Sequence, residues 1–312
     1  ILVVAQNLWA DVLGPAGTGW ISFALTLPFI LFLGYAGQLA DRFSKRTMVV
    51  WVRLTELPIV LLIVLGFRVE SFWLTFAGFL LIASQSAFFN PPKYGMIREV
   101  AGTHRLSNAN GVIVLCTNVA IIGATAVSGF LLDGGRSGWV VGLVMIPVAI
   151  IGLLGALLIT PLKAADPGRP WEWNPLARYW SDLRAMRGGP LYPAVWSWSL
   201  FYFIAIIIIS IIPALQEPMG GTTGDTSLLL GATALGVGIG CGVAGLCSGR
   251  SIHVGMVPWG AAGLSITWFL LAFLPLHFPT ALVLLLLGGL AAGFFIVPLQ
   301  AMQQRLAPPE RR

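Results

Sequence analysis

Gly37 to Arg46 reads GQLADRFSKR, one acid and three bases in ten residues between two strongly apolar runs. Asp41, Arg42, Lys45 and Arg46 concentrate charge there without forming a nucleophile–base set. A second charged pair, Arg53 and Glu56, is spaced three apart and can meet on one helix face. A charge at membrane depth is costly. The pair is therefore either structural, with Arg53 snorkelling to the nearby membrane surface, or a headgroup or coupling site. Gln85, Asn90, Lys93 and Tyr94 follow in one apolar run and its end, and Asn110, Thr117 and Asn118 in the next. These polar groups read equally as helix–helix glue or as steps of a substrate path.

Other chemistries find little support. Cys116, Cys241 and Cys247 lie inside apolar runs without paired spacing, and His104, His253 and His277 fall in loops or at the ends of runs. That pattern predicts no metal, no redox pair and no histidine proton relay. GVGIG, with Gly236, Gly238 and Gly240, sits within an apolar run, where close helix packing accounts for it better than a nucleotide turn. No cofactor is expected and an enzyme reading has little support. The net charge of +6 comes from bases scattered between apolar runs, which argues against nucleic acid as a partner.

These residues must be held by membrane helices. The chain is 57% hydrophobic and 10% charged, with 37 glycines and 12 tryptophans in 312 residues, against about 25% charged in soluble domains. Apolar runs of spanning length occupy 20–40, 48–67, 72–89, 109–132, 139–161, 192–215, 227–248, 254–275 and 279–301. The opening ILVVAQ reads as the second half of a further helix. If the GQLADRFSKR side is cytoplasmic, all but Arg68 and Arg136 of the 18 lysines and arginines fall on that side, as the positive-inside rule requires.

An internal repeat organises the spans. FFNPPKYGMIREVAGTHR from Phe88 matches FFIVPLQAMQQRLAPPER from Phe294 at a shift of 206. Gly37, Asp41 and Arg42 align with Gly245, Gly249 and Arg250 at a shift of 208, a second-half counterpart of the charged loop. The offset covers an even number of helices, so both halves insert in the same direction. The expected organisation is an N-terminal bundle over 1–161, a cytoplasmic linker over 162–190 and a partial C-terminal bundle over 191–312. By the repeat, half of a first helix and two last helices of a twelve-helix fold are expected to lie outside this sequence. Within the linker, Trp173, Leu176, Trp180 and Leu183 recur at helical spacing among arginines, which predicts an amphipathic helix at the inner leaflet.

GQLADRFSKR resembles the signature loop of the major facilitator superfamily, between its second and third helices. The resemblance implies an all-α polytopic membrane protein of two parallel-repeat six-helix bundles. It also implies that Asp41 faces a helix N-terminus of the opposite half, while Gly37 permits close helix approach. Arg42, Lys45 and Arg46 would hold the inner surface, completing a cytoplasmic latch. Ser44 stands where that family usually has glycine, which implies a less tight turn. FFNPPKYGMI, NANG (Asn108 to Gly111), GFFIVPLQA and PFILFLGYAGQLAD resemble the bacterial lysophospholipid transporter family more narrowly. That family flips lysophosphatidylethanolamine-like lipids to the inner leaflet of the cytoplasmic membrane, and some relatives are fused to an acyltransferase. The expected partners are thus a lysophospholipid or another amphipathic small molecule, the bilayer, and functionally an acyltransferase. Departures are visible: the run GVIVLCTN lacks an acid and WSLFYFIAIIIISIIP lacks a base that family members carry there.

The alternative is a proton-coupled exporter of drugs or small metabolites. WLTFAGFLLIASQSAFF has no arginine and GATAVSGF no glycine–proline pair, both of which such antiporters commonly show.

Overall fold

The computed structural model describes residues 17–133, 138–168, 170–212, 219, 223–248, 251–274 and 277–306. These form α1 Gly17–Arg42, α2 Lys45–Arg68, α3 Phe72–Ala101, a 3₁₀ turn Thr103–Arg105, α4 Leu106–Asp133 and α5 Gly138–Leu157. Then follow α6 Pro175–Met186, α7 Leu191–Ile211, α8 Thr223–Ser248, α9 Met256–Phe273 and α10 Phe278–Leu306. Among the described residues, eight helices are long and apolar enough to cross a membrane, and α5 contributes a shorter apolar one. All nine coincide with the nine runs read from the sequence. Helices are what such runs must form, because hydrocarbon offers no partner for an open backbone. The opening ILVVAQ lies outside the described residues, as do Gly249 and Arg250.

Helix boundaries carry the repeat. Shifted by 206 residues, α1 falls on α8 end to end, and α3 falls on α10 to within one residue. Pro92 inside α3 falls on Pro298 inside α10, and both are buried. At this shift the match of Gly37 with Gly245 stands two residues out of helical register.

The chain divides into two compact units, one of Ile1–Glu99 with Ala126–Ala185 and one of Val100–Thr125 with Met186–Arg312. The bounds at 161 and 190 come from the repeat, whereas this division follows packing and cuts through α4. In the first unit α2 packs on α5, and Ile63, Phe67, Phe79 and Leu131 form a buried core flanked by Trp139 and Met145. In the second, α10 packs against α7, α8 and α9 around Cys241, Ala244, Ala292, Ile296 and Val297.

Glycine makes the α8–α10 contact possible. A Cβ on Gly293 would overlap the backbone of Gly240 and Cys241, and one on Gly289 would lie 2.5 Å from the Thr233 carbonyl oxygen and 2.7 Å from the Val237 nitrogen. Gly236 and Gly240 meet the backbone of Leu286 and Leu290. GVGIG is thus a packing surface. Among the described residues there is no cluster that could hold a metal, and the three cysteines are free.

Candidate functional site

The charged stretch turns between two helices. α1 ends at Arg42 and α2 begins at Lys45, leaving only Phe43 and Ser44 between them. Ser44 has φ −57° and ψ 125°, an extended conformation open to any residue. The turn therefore stays tight with serine in it, contrary to the expectation from the missing glycine. Gly37 also departs from expectation: no described atom lies within 4 Å of where its Cβ would stand. The close approach sought at Gly37 is found instead on α8 and α10.

Two of the loop's bases meet specific partners. Asp41 and Lys45 are buried at 6% and 5% exposure. Lys45 Nζ pairs with Glu99 Oε1 near the end of α3, and its stem crosses Gly95, where a Cβ would sit 2.8 Å from Lys45 Cε. Arg46 donates from Nε to the Ile159 carbonyl at 2.7 Å and from Nη2 to that of Leu157 at 3.1 Å. Leu157 is the last residue of α5 and Ile159 lies two residues beyond it, at the helix end where carbonyls lack intrahelical donors and a cation is favoured. Lys45 and Arg46 thus tie the start of α2 to the ends of α3 and α5. Glu99 stands within the quoted repeat stretch, yet its pairing across 54 residues has no local signal.

The linker is fastened to the last turns of α1. Gln38, 1% exposed, donates from Nε2 to the Glu172 carbonyl at 3.0 Å and accepts the Glu172 N–H at 2.8 Å. Tyr35 donates its hydroxyl to the Trp173 carbonyl at 2.6 Å and stacks on Trp171, while Asp166 N–H donates to the Asp41 carbonyl at 2.8 Å. The segment runs antiparallel to α1, each contact stepping back along the helix. The amphipathic helix expected in the linker is α6, beginning at Pro175, so Trp173 precedes it. Trp180 is exposed and carries Arg184 over its ring.

The candidate path residues form two separate groups. In the first unit, Arg53 donates from Nη1 to Glu56 Oε2 at 2.6 Å. Its guanidinium sits 4.3 Å from the Phe89 ring centroid of α3 and against Gly152 of α5, where a Cβ would lie 3.4 Å from Nη1. The Arg53 and Glu56 side chains are 27% and 15% exposed, so the pair is largely enclosed by three helices. Lys93 stands over the same Phe89 ring at 6.0 Å and over Tyr94 at 5.1 Å. Gln85 donates to the Val52 carbonyl at 3.0 Å, joining α3 to α2. Half-buried Asn90 makes no side-chain hydrogen bond to a described residue.

In the second unit, fully buried Asn110 and Gln304 exchange amide hydrogen bonds at 2.9 and 3.0 Å. The neighbouring Gly111 lets α4 approach α8, since its Cβ would lie 2.5 Å from the Cys241 carbonyl oxygen and 2.9 Å from Gly245 Cα. Thr117 and Asn118 return their donors to the Ile113 and Val114 carbonyls of their own helix. They behave as α4 residues satisfied internally. An apolar cavity in the same unit is lined by Phe201, Ile208, Val237, Trp268, Leu271 and Leu285.

Membrane helices in repeated order, a charged turn braced on neighbouring helix ends and enclosed polar groups amid apolar walls define a membrane transporter. The chain belongs to the Major Facilitator Superfamily, whose family model matches residues 1–312. It is 28% identical over 97% of its length to the lysophospholipid transporter LplT of Pectobacterium carotovorum, covering 72% of that protein. With the lysophospholipid transporter LplT of Cronobacter sakazakii it shares 30% identity over 88% of its length, covering 68% of the relative. The solved Escherichia coli fucose:proton symporter superposes at a TM-score of 0.71 with 16% identity, over 99% of this chain and 83% of that one. That likeness concerns the fold.

Proposed function

We propose that this transporter flips lysophospholipids, of the lysophosphatidylethanolamine type, to the inner leaflet of a bacterial cytoplasmic membrane. Two halves, 1–161 and 191–312, joined by a cytoplasmic linker at 162–190, work by alternating access. Asp41 with Arg42, Lys45 and Arg46 gates the cytoplasmic side. The observation that carries the reading is the enclosed set of Arg53, Glu56, Lys93 and aromatic rings within otherwise apolar helices. An amphipathic lipid needs that combination, a small polar station for its headgroup and apolar walls for its chain. The relatives' names point to the same substrate. Re-esterification of the delivered lipid by an acyltransferase is the coupled step that such a product calls for.

The test is uptake of labelled lysophosphatidylethanolamine by spheroplasts of a deletion strain with and without the full-length gene. Gene-dependent transfer is expected, and transfer indifferent to the deletion would overturn the proposal.

A further inference from the structure

Lys93 is a half-buried cation of the apolar helix α3. Lys45 pairs with Glu99 and Arg53 with Glu56, and among the described residues no ion pair includes Lys93. Its close neighbours are two aromatic faces, Phe89 at 6.0 Å and Tyr94 at 5.1 Å. Ring quadrupoles attract a cation but offset only part of the cost of removing it from water.

A second cation shares the ring. Arg53 lies 4.3 Å from the Phe89 centroid, so the two charges can be no farther apart than the two ring distances taken together, and Arg53 acts electrostatically on Lys93. Two like charges held around one ring from adjacent helices disfavour one another unless an anion joins them. Helical spacing enforces the arrangement, because Phe89 and Lys93 are four apart and share a face of α3. Gly152 leaves α5 no side chain in the place where the guanidinium rests.

Glu56 gives the site a polarity. It accepts Arg53 through Oε2, leaving Oε1 without a hydrogen-bond partner among the described residues. The cluster thus offers one unpaired cation, one paired cation and one open carboxylate oxygen. We infer that Lys93 and Arg53 form a phosphate subsite and Glu56 Oε1 the adjoining ammonium subsite, together selecting zwitterionic phosphodiester headgroups bearing a primary amine. The guanidinium and ammonium donors both suit phosphate oxygens, and a primary ammonium donates directly to a carboxylate. The assignment rests on the lysophospholipid reading and specifies its headgroup.

Direct binding to the purified full-length protein in detergent tests it with three ligands of one acyl chain. These are lysophosphatidylethanolamine, lysophosphatidylglycerol, which lacks the amine, and monoacylglycerol, which lacks the phosphate. Lys93→Met should weaken both phosphate ligands by roughly tenfold or more, the loss of a charge-assisted hydrogen bond, while monoacylglycerol binds as before. Lys93→Arg should restore phosphate binding, and Glu56→Gln should weaken the ethanolamine lipid more than the glycerol lipid. Equal weakening of all three ligands by Lys93→Met, without rescue by arginine, would overturn the phosphate subsite and make Lys93 structural. Equal weakening of both phospholipids by Glu56→Gln would overturn the ammonium subsite. A wild-type protein that binds no lysophospholipid would instead overturn the substrate reading itself.

Discussion

Asn110 and Gln304, 194 residues apart, hold each other by two amide hydrogen bonds of 2.9 and 3.0 Å. Asn110 is fully buried, so removing Gln304 leaves the Asn110 amide oxygen without that donor in a dry setting. Asn110→Ala or Gln304→Ala should each cost about 1–3 kcal/mol, and the double change less than the sum of the two. Thermal unfolding of the four full-length proteins in one detergent measures the coupling. Additive losses would show that the pair contributes no interaction of its own.

The clasp of Gln38 on Glu172 predicts a different phenotype. Gln38→Leu keeps bulk but removes both bonds to the linker backbone, while α1 retains its helix. The expected outcome is increased protease cutting between 163 and 174 with membrane insertion unchanged. Cutting at the wild-type rate would mean that Tyr35, Trp171 and Asp166 suffice to hold the linker.

Arg53→Ala should lower the thermal stability of the full-length protein in detergent more than the double change Arg53→Ala with Glu56→Ala. The single change strands an enclosed carboxylate, whereas the double change leaves neither charge behind. A double mutant at least as destabilised as the single would mean that no stranded Glu56 charge sets the cost.

Asp41 lies in the last turn of α1 at 6% exposure, where its own helix dipole disfavours an anion. If it faces a helix N-terminus across the halves, Asp41→Asn removes about 0.3–2 kcal/mol of interaction. That is small against folding, yet it shifts a balanced conformational equilibrium by up to roughly tenfold or more. Slower transport with normal expression is expected, and unchanged transport would make Asp41 a plain packed residue.

Gly293→Ala should be severe. The added methyl meets the backbone of Gly240 and Cys241 rather than a movable side chain, so α8 and α10 must separate. Loss of folded full-length protein in size-exclusion profiles is expected, while Gly37→Ala, with open space at its Cβ, should behave as wild type.

Composition and hydropathy alone determined the nine apolar helices, because in hydrocarbon each run must satisfy its own backbone. The repeat was legible too: Phe88 with Phe294 and Pro92 with Pro298 share the offset at which α1 matches α8 and α3 matches α10. The charged loop could be recognised by its residue types, but not its partners. Lys45 finds Glu99 54 residues away, and Gln38 finds Glu172 134 residues away. No local periodicity encodes such meetings, since they depend on which helix ends the packing brings side by side. The polar candidates show the same limit. As residue types, Lys93, Asn110, Thr117 and Asn118 were indistinguishable as glue or path. Tertiary structure separated them by what each side chain meets: Thr117 and Asn118 their own helix carbonyls, Asn110 an amide from α10, and Lys93 two aromatic faces with no described carboxylate paired to it.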